Sequence, residues 1–322
     1  MTKNFTAQTL YSWKRCLPEE ERSEWELLTF NPDDFFGTSL LFRRKDRSSY
    51  AVGVVGEASN SDRFFELPMF LQFYFAARQT ENIWVLLAFD GNGEIMLRIR
   101  FTPGKAPLVV STELLSSEVQ RCMINRHGHI LVGYDNSLYF SDTQNSEEFS
   151  PIADLSIEHT HPGAKGFVLP LLEWYDAEGN LIHMFTDNMN TSITEINIDA
   201  EDRALVTVDL ADPIIRLSLD GITCIEKNCL EGTVIEGITE ASDKSGYLIS
   251  CTRKENDPSK FETLPTGLPP FAETFWLDAD GDRYCDCRAF SESGEQLPLD
   301  SYSCRGNTIL IEDEGWIYRI ML

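Results

Sequence analysis

Short apolar strands alternate with tight acidic or glycine turns along most of this 322-residue chain, and the pattern returns at similar intervals. Equivalent strand positions lie 47 residues apart between Val85 and Val132, and 41 residues apart between Leu131 and Leu172. A period of about 40–50 residues is typical of four-stranded propeller blades. The sequence therefore predicts an all-β protein, a single β-propeller of about six or seven four-stranded blades over residues 1–322. A stacked pair of β-sandwiches is the alternative.

Tight turns connect the two strands of each predicted hairpin. Asp-Gly and related pairs, such as Asp90-Gly91 and Asp220-Gly221, supply the positive φ angles that such turns need. The predicted hairpins join 83–89 to 94–99, 130–134 to 138–140, 172–175 to 181–185, 214–219 to the strand after Gly221, 274–277 to the strand after Asp282, and 308–311 to 316–320.

The N-terminal segment, residues 1–35, has a different pattern. Pro18 followed by three glutamates predicts a small helical element from residue 18 to about residue 28, because proline and early acids favour a helix start. Residues 67–77 are rich in aromatic side chains without clear alternation, and the choice between strand and helix stays open there.

The C-terminal hairpin carries the prediction that the ring closes. Residues 308–320 contain Trp316, Ile317, Tyr318 and Ile320, which would expose a large apolar patch if the tail were free. We expect this hairpin to complete a blade beside strands from the first 60 residues, with 39–42 and 50–55 as candidates.

Composition places the chain among ordinary globular proteins, since 42% of its residues are hydrophobic and 25% are charged. The net charge of −25 is unevenly distributed: residues 1–126 contain 15 Lys+Arg and 16 Asp+Glu, whereas residues 127–322 contain 12 and 36. Such a field repels nucleic acid and anionic membranes, and it favours a basic protein partner. The simpler interpretation is an acidic surface that maintains solubility.

The sequence predicts a cytoplasmic protein with reduced thiols. It begins without a basic segment followed by an apolar stretch, so no secretory signal is predicted. The cysteines lack the compact spacing of a disulfide framework. They are Cys16, Cys122, Cys224, Cys229, Cys251, Cys285, Cys287 and Cys304.

One stretch, residues 129–142, resembles the blade signature of sialidase-repeat (Asp-box) propellers. A strand ending at Gly133 is followed by a tight turn, an aromatic strand and a Ser/Asp turn. Thr143 and Asn145 replace the expected Asp and Gly, and Phe149 replaces the Trp with one residue inserted. The resemblance covers about one blade. It implies the propeller architecture and no sialidase activity, because the arginine triad and tyrosine nucleophile are not found.

Three groups of residues have the composition of metal sites. Asp278, Asp280 and Asp282, with Asp286, alternate as calcium ligands do, but Ala289 stands where a calcium loop has its bidentate glutamate. The pairs His127/His129 and His159/His161 would form a zinc site only if loops brought them together, and Cys285/Cys287 share one strand face. Hairpin turns and core cysteines are the simpler interpretations, and we expect no metal site.

The sequence contains no Gly-x-Ser-x-Gly elbow, phosphate-binding loop or dinucleotide fingerprint. The basic cluster at residues 43–47 could contact phosphate, although a solvated loop or internal salt bridges fit its acidic surroundings better. We therefore predict no catalytic residue and no cofactor.

The predicted function is binding: a non-enzymatic propeller that presents an acidic surface to a basic protein partner. A bacterial immunity protein that neutralises a toxin is a concrete member of this class, because an acidic inhibitor gains association rate by electrostatic steering. The alternative is a propeller enzyme, such as a metal-dependent hydrolase or lactonase, with its site in the central channel.

Overall fold

The computed structural model describes residues 2–33, 37–57, 62–67, 71–135, 170–186, 192–208, 214–225, 233–253, 274–279, 284–299 and 302–322. Within these ranges the chain is all β apart from two short 3₁₀ turns, Trp13–Cys16 and Glu19–Glu21. No helix in these ranges is long and apolar enough to span a bilayer. The strands are arranged like propeller blades, in five hydrogen-bonded sheets.

Four sheets have four antiparallel strands each, taken consecutively from the chain. The first contains β2 (Trp25–Pro32), β3 (Gly37–Arg44), β4 (Tyr50–Gly56) and β5 (Arg63–Glu66). The second contains β6 (Gln72–Arg78), β7 (Ile83–Phe89), β8 (Glu94–Arg100) and β9 (Leu108–Leu114). The third contains β10 (Val119–Ile124), β11 (Ile130–Tyr134), β12 (Pro170–Tyr175) and β13 (Leu181–Thr186). The fourth contains β14 (Ile193–Ile198), β15 (Ala204–Val208), β16 (Ile214–Ser218) and β17 (Gly221–Ile225).

The fifth sheet has nine strands and joins the first described strand to the last. It contains β1 (Thr2–Ser12), β18 (Thr233–Glu240), β19 (Gly246–Arg253), β20 (Thr274–Asp278), β21 (Tyr284–Ser291), β22 (Gln296–Leu297), β23 (Tyr302–Arg305), β24 (Thr308–Asp313) and β25 (Trp316–Met321).

Six or seven separate sheets are not found in the described residues. The physical reason is β1, which bonds on both sides. Its first half runs parallel to β21, with Thr2 opposite Asp286, and its second half runs antiparallel to β25, with Gln8 opposite Arg319. One strand thus joins the four strands β18–β21 and the three strands β23–β25 into a single sheet, in which β22 also pairs with β21.

The helix predicted from residue 18 to residue 28 is wrong. Only Glu19–Glu21 form a 3₁₀ turn, and β2 already begins at Trp25. The Trp25 side chain is buried, and its backbone pairs with Arg44 of β3. This pairing with a distant strand outweighs the local helix preference.

The predicted hairpins are confirmed where both strands are described. They are β7 with β8, β12 with β13, β16 with β17, β20 with β21, and β24 with β25. Residues 67–77, for which the sequence left strand and helix open, contribute β6. The strand predicted at 138–140, and most of the Asp-box-like stretch, lie outside the described residues.

Hydrophobic clusters pack between neighbouring strand groups. Six such clusters follow one another around the molecule. In β7, Trp84 and Leu86 enter the cluster shared with the first sheet, whereas Val85 and Leu87 enter the cluster shared with the third. Successive side chains of a strand point to opposite faces, so a strand packed on both faces is a continuous apolar run.

The C-terminal hairpin closes the arrangement, as predicted. Its hydrogen-bonded partner is 8–12 of β1, not residues 39–42 or 50–55. Those two strands pack against it face to face instead: Leu310 and Ile317 share one core with Tyr11, Leu40 and Phe42. The first and last described strands are therefore held together by hydrogen bonds and by a common core.

Candidate functional site

A cavity of about 410 Å³ lies where six strands meet, one from each four-stranded sheet and two from the nine-stranded sheet. These strands are β2, β6, β10, β14, β18 and β23, which contact one another in neighbouring pairs such as β10 with β14 and β14 with β18. We call this space the central channel. Its described lining is Leu28, Thr29, Phe30, Asn31, Tyr74, Phe75, Leu87, Val119, Gln120, Arg121, Cys122, Met123, Glu195, Glu236, Gly237, Tyr302, Ser303 and Cys304.

Polar bonds connect the channel strands near their C-terminal ends. Asn197, at the end of β14, donates to the carbonyls of Ile238 (2.8 Å) and Gly306 (3.0 Å) and accepts from the Gly306 amide (2.8 Å). Arg305 donates to the Asn125 carbonyl at 3.1 Å. The buried Asn197 side chain thus has both its amide nitrogen and its amide oxygen hydrogen-bonded. Together with the Arg305 bond, these contacts connect β10, β14, β18 and β23 at one end of the channel.

A charged pair lies within the channel lining. Arg121 Nε of β10 donates to Glu195 Oε2 of β14 at 3.1 Å, and the Glu195 side chain is only 13% exposed. Burial raises the pKa of Glu195, Arg121 opposes this, and the Glu236 carboxylate adds to the rise. The charged residues of the described lining are two glutamates and one arginine, and Glu236 is the exposed one of the two glutamates.

Two hydroxyls of the lining are buried without a well-formed hydrogen bond in the described residues: Thr29 Oγ1, and Tyr302 Oη, whose neighbour is the Thr239 side chain. The Tyr302 ring lies directly against Gly237, where a Cβ would sit 2.5 Å from Oη. Burial raises the pKa of Tyr302 well above its ordinary value. Buried hydroxyls are normally paired, so these two groups are available to a water or a bound group.

The lining thiols are not nucleophiles. Burial raises the pKa of Cys304 to about 12, and burial also raises the pKa of Cys122. A thiol attacks as the thiolate, which is negligible at neutral pH for such groups.

The predicted histidine sites are only partly described. His129 Nδ1 accepts from the Trp174 indole at 3.1 Å, and His127 Nε2 lies 3.5 Å from Asp202 Oδ2. Both therefore have partners at the β10–β11 turn, outside the channel lining. His159 and His161 lie outside the described residues.

The acidic loop and the cysteine pair are not part of the channel either. Asp278 and Asp286 lie on β20 and β21, and residues 280–283 between them are outside the described ranges. Cys285 and Cys287 share one face of β21, as predicted, beside an inter-sheet core. The structure describes no group of three or more His, Cys, Asp or Glu side chains that could hold a metal ion.

Two of the four cations in the cluster at residues 43–47 form internal ion pairs. Arg43 binds Glu26 at 2.7 Å, and Arg44 binds Glu21 at 2.7 Å and Glu24 at 2.9 Å. For these two arginines, the internal salt bridges that the sequence suggested are therefore found.

Sequence reasoning did not single out Arg121, Glu195, Glu236 or Tyr302. A usable signal was present, since Glu195 is the lone charge of the apolar strand 193–198 and Glu236 stands among the uncharged residues 233–239. A charge in such a strand indicates a polar cavity or a partner, although the sequence alone does not say which strands are innermost.

No family model and no curated protein matches the chain. Among solved structures it is similar to virginiamycin B lyase from Staphylococcus aureus, at 11% identity over 92% of this chain and 94% of the other, with a TM-score of 0.48. It is also similar to YCF48 from Cyanidioschyzon merolae, at 8% identity over 92% and 99% of the chains, with a TM-score of 0.45. A third is regucalcin from Agrobacterium tumefaciens, at 11% identity over 99% and 95%, with a TM-score of 0.45. These similarities are too weak to indicate a function.

Proposed function

We propose that this protein is a non-enzymatic binding protein that receives a basic side chain of a protein partner at the central channel. The observation that carries the proposal is the pair of glutamates, Glu195 and Glu236, beside the one described arginine of the lining, Arg121. A lysine or arginine of the partner would meet these two carboxylates, next to apolar walls that suit its aliphatic stem.

The charge distribution supports the same class of partner. Residues 127–322 contain 36 acidic and 12 basic residues, so the field of this part of the chain attracts cations. A bacterial immunity protein against a basic toxin remains our specific proposal within the class, since steering by charge accelerates capture. A cytoplasmic location belongs to the same proposal.

We also propose that residues 1–322 form one six-bladed domain. On this count the nine-stranded sheet supplies two blades, β18–β21 and β23–β25 with β1. The six strands around the channel and the six inter-sheet clusters support this number. Membership of the Asp-box type is a further proposal that depends on residues 129–142 alone.

Binding of a lysine-rich peptide tests the function, with a matched glutamate-rich peptide as the negative probe. We expect the lysine peptide to bind and its affinity to fall steeply between low and high salt, because exposed charges are screened within about 8–10 Å at physiological ionic strength. Glu236→Gln should weaken binding by about two- to five-fold. Glu292→Gln, an exposed glutamate outside the lining, is the control. A flat salt profile, or equal losses in both variants, would contradict the proposal.

An enzyme with its site in the same channel is the second candidate. The observation that favours it is the Glu195 carboxyl, whose pKa burial raises, near the buried hydroxyl of Tyr302. A carboxyl with a raised pKa beside a hydroxyl in a cavity is a candidate for proton transfer. Turnover of model esters or lactones that Glu195→Gln abolishes, with folding unchanged, would favour this candidate over the binding protein.

A further inference from the structure

A second cavity, an open groove of about 470 Å³, lies beside the start of β2 and apart from the charged pair of the central channel. We call it the N-terminal groove. One side is the Trp13–Cys16 turn and the connection that leads to β2, and the other sides come from the β3–β4 turn and the end of β24. Its lining is Trp13, Lys14, Arg22, Ser23, Trp25, Glu26, Leu27, Leu28, Phe30, Lys45 and Glu312.

Three cations face this groove without an ion pair. Lys14, Arg22 and Lys45 are all exposed and make no salt bridge with any described residue. Lys14 Nζ has a cation–π contact only, 5.3 Å from the Trp13 ring centre. In contrast, neighbouring Arg15 is bound to Asp62 at 2.9 Å. A chain of net charge −25 therefore keeps three uncompensated positive charges around one groove.

The two acids of the groove already have partners. Glu312 Oε1 accepts from the Trp13 indole at 2.9 Å and from the Gly315 amide at 2.8 Å. Glu26 is bound to Arg43 at 2.7 Å. Glu26 is thus compensated by Arg43, whereas Glu312 bonds only neutral donors and keeps its charge, so the lining holds three cations against one uncompensated carboxylate.

Apart from Ser23, apolar and aromatic side chains form the rest of the lining, and the tryptophans are held in place. Trp25 Nε1 donates to Glu21 at 3.2 Å, and its ring meets Phe64 edge-on at 5.3 Å between centres. Trp13 packs on Phe42 at 5.8 Å. A rigid apolar floor beside three exposed cations matches a ligand with an apolar body and a negative headgroup.

We propose that the N-terminal groove binds an aromatic phosphate monoester. The phosphate would meet Lys14, Arg22 and Lys45, and the ring would lie against the apolar floor. Both negative charges of the phosphate would then be paired with cations, whereas a neutral ligand would leave the three cations unpaired. The groove shares Leu28 and Phe30 with the channel lining, but its three cations do not line the channel, and the charge of its ligand is opposite to that of the proposed protein partner.

Calorimetric titration of the full chain with phenyl phosphate tests the proposal, with inorganic phosphate and phenol as comparison ligands. Phenyl phosphate should bind at least about ten-fold more tightly than either. Lys14→Gln, Arg22→Gln and Lys45→Gln should each weaken it by about two- to five-fold, since each removes one partly solvated charge contact. All three side chains are exposed, so each variant should lose affinity for phenyl phosphate without a change in melting temperature.

Arg47→Gln is the matched control, because Arg47 lies in the same exposed turn as Lys45 but not in the groove. It should leave the affinity unchanged. Equal affinity for inorganic phosphate, an equal loss in Arg47→Gln, or no binding of phenyl phosphate at millimolar concentration would overturn the proposal.

Discussion

Arg121 of β10 donates a hydrogen bond to Glu195 of β14 over 3.1 Å and so bridges two sheets inside the channel. The carboxylate is mostly buried, whereas the guanidinium is 36% exposed. Removing the arginine leaves a buried charge without its counterion, which costs more than loss of a surface pair.

Arg121→Met should therefore destabilise the fold by about 1–3 kcal/mol at neutral pH. Burial raises the folded-state pKa of Glu195, so the folded chain binds more protons than the unfolded chain between the ordinary carboxyl pKa and the raised value. Stability then falls as pH rises through that window. Without Arg121 the folded-state pKa of Glu195 should rise further, which widens this pH window. The unfolding free energy that Arg121→Met loses should therefore be larger at pH 8 than at pH 4.5.

Urea unfolding at several pH values measures this effect. Lys105→Met, a change at an exposed turn position, is the control and should be neutral at every pH. A loss from Arg121→Met that does not vary with pH would mean that the pair does not govern the protonation of Glu195.

Gly237→Ala should destabilise the fold, because its Cβ would lie 2.5 Å from Tyr302 Oη and 2.7 Å from Cζ. We expect about 1–3 kcal/mol by thermal or urea unfolding. Gly93→Ala is the matched control, since its Cβ would meet only Leu114 Cδ1 at 3.5 Å. Tyr302→Phe alone should be neutral or stabilising, because it removes a buried hydroxyl whose contact with Thr239 lacks good hydrogen-bond geometry. Equal losses at the two glycines would contradict the close approach.

Deletion of residues 308–322 should abolish cooperative unfolding of the whole domain, because β25 pairs with β1 and shares its core. A milder test is Ile317→Ala, which empties a fully buried site and should cost about 2–5 kcal/mol. Met321→Ala, 58% exposed, is its control and should change stability by less than about 0.5 kcal/mol. A soluble truncated chain that melts near the parent temperature would refute ring closure.

All eight cysteines should react with a thiol reagent after denaturation without reductant. Six of them are described and are free thiols. In the folded protein, Cys122 and Cys304 should react only at the rate of unfolding, because both are buried and their pKa values are raised. Disulfides detected by mass spectrometry of the native protein would overturn the predicted compartment.

Local patterns predicted the hairpins well, because a turn such as Asp176-Ala177-Glu178-Gly179 and the apolar runs beside it are encoded within a few residues. They failed where a distant contact decides the structure. Trp25 is extended because it pairs with β3 and packs near Phe64, neither of which local propensity reports. The channel residues were missed for the same reason: Arg121 and Glu195 lie 74 positions apart and meet only after two sheets have packed.

Zero-length carbodiimide cross-linking of the lysine-rich peptide to the folded protein, with the cross-linked carboxylates mapped by mass spectrometry, tests whether a basic partner binds at the central channel. We expect a dominant cross-link to Glu236, which high salt suppresses and Glu236→Gln removes. Cross-links spread over other exposed acids such as Asp220, Glu292 and Glu295, with none at Glu236, would contradict recognition of a basic partner at the central channel.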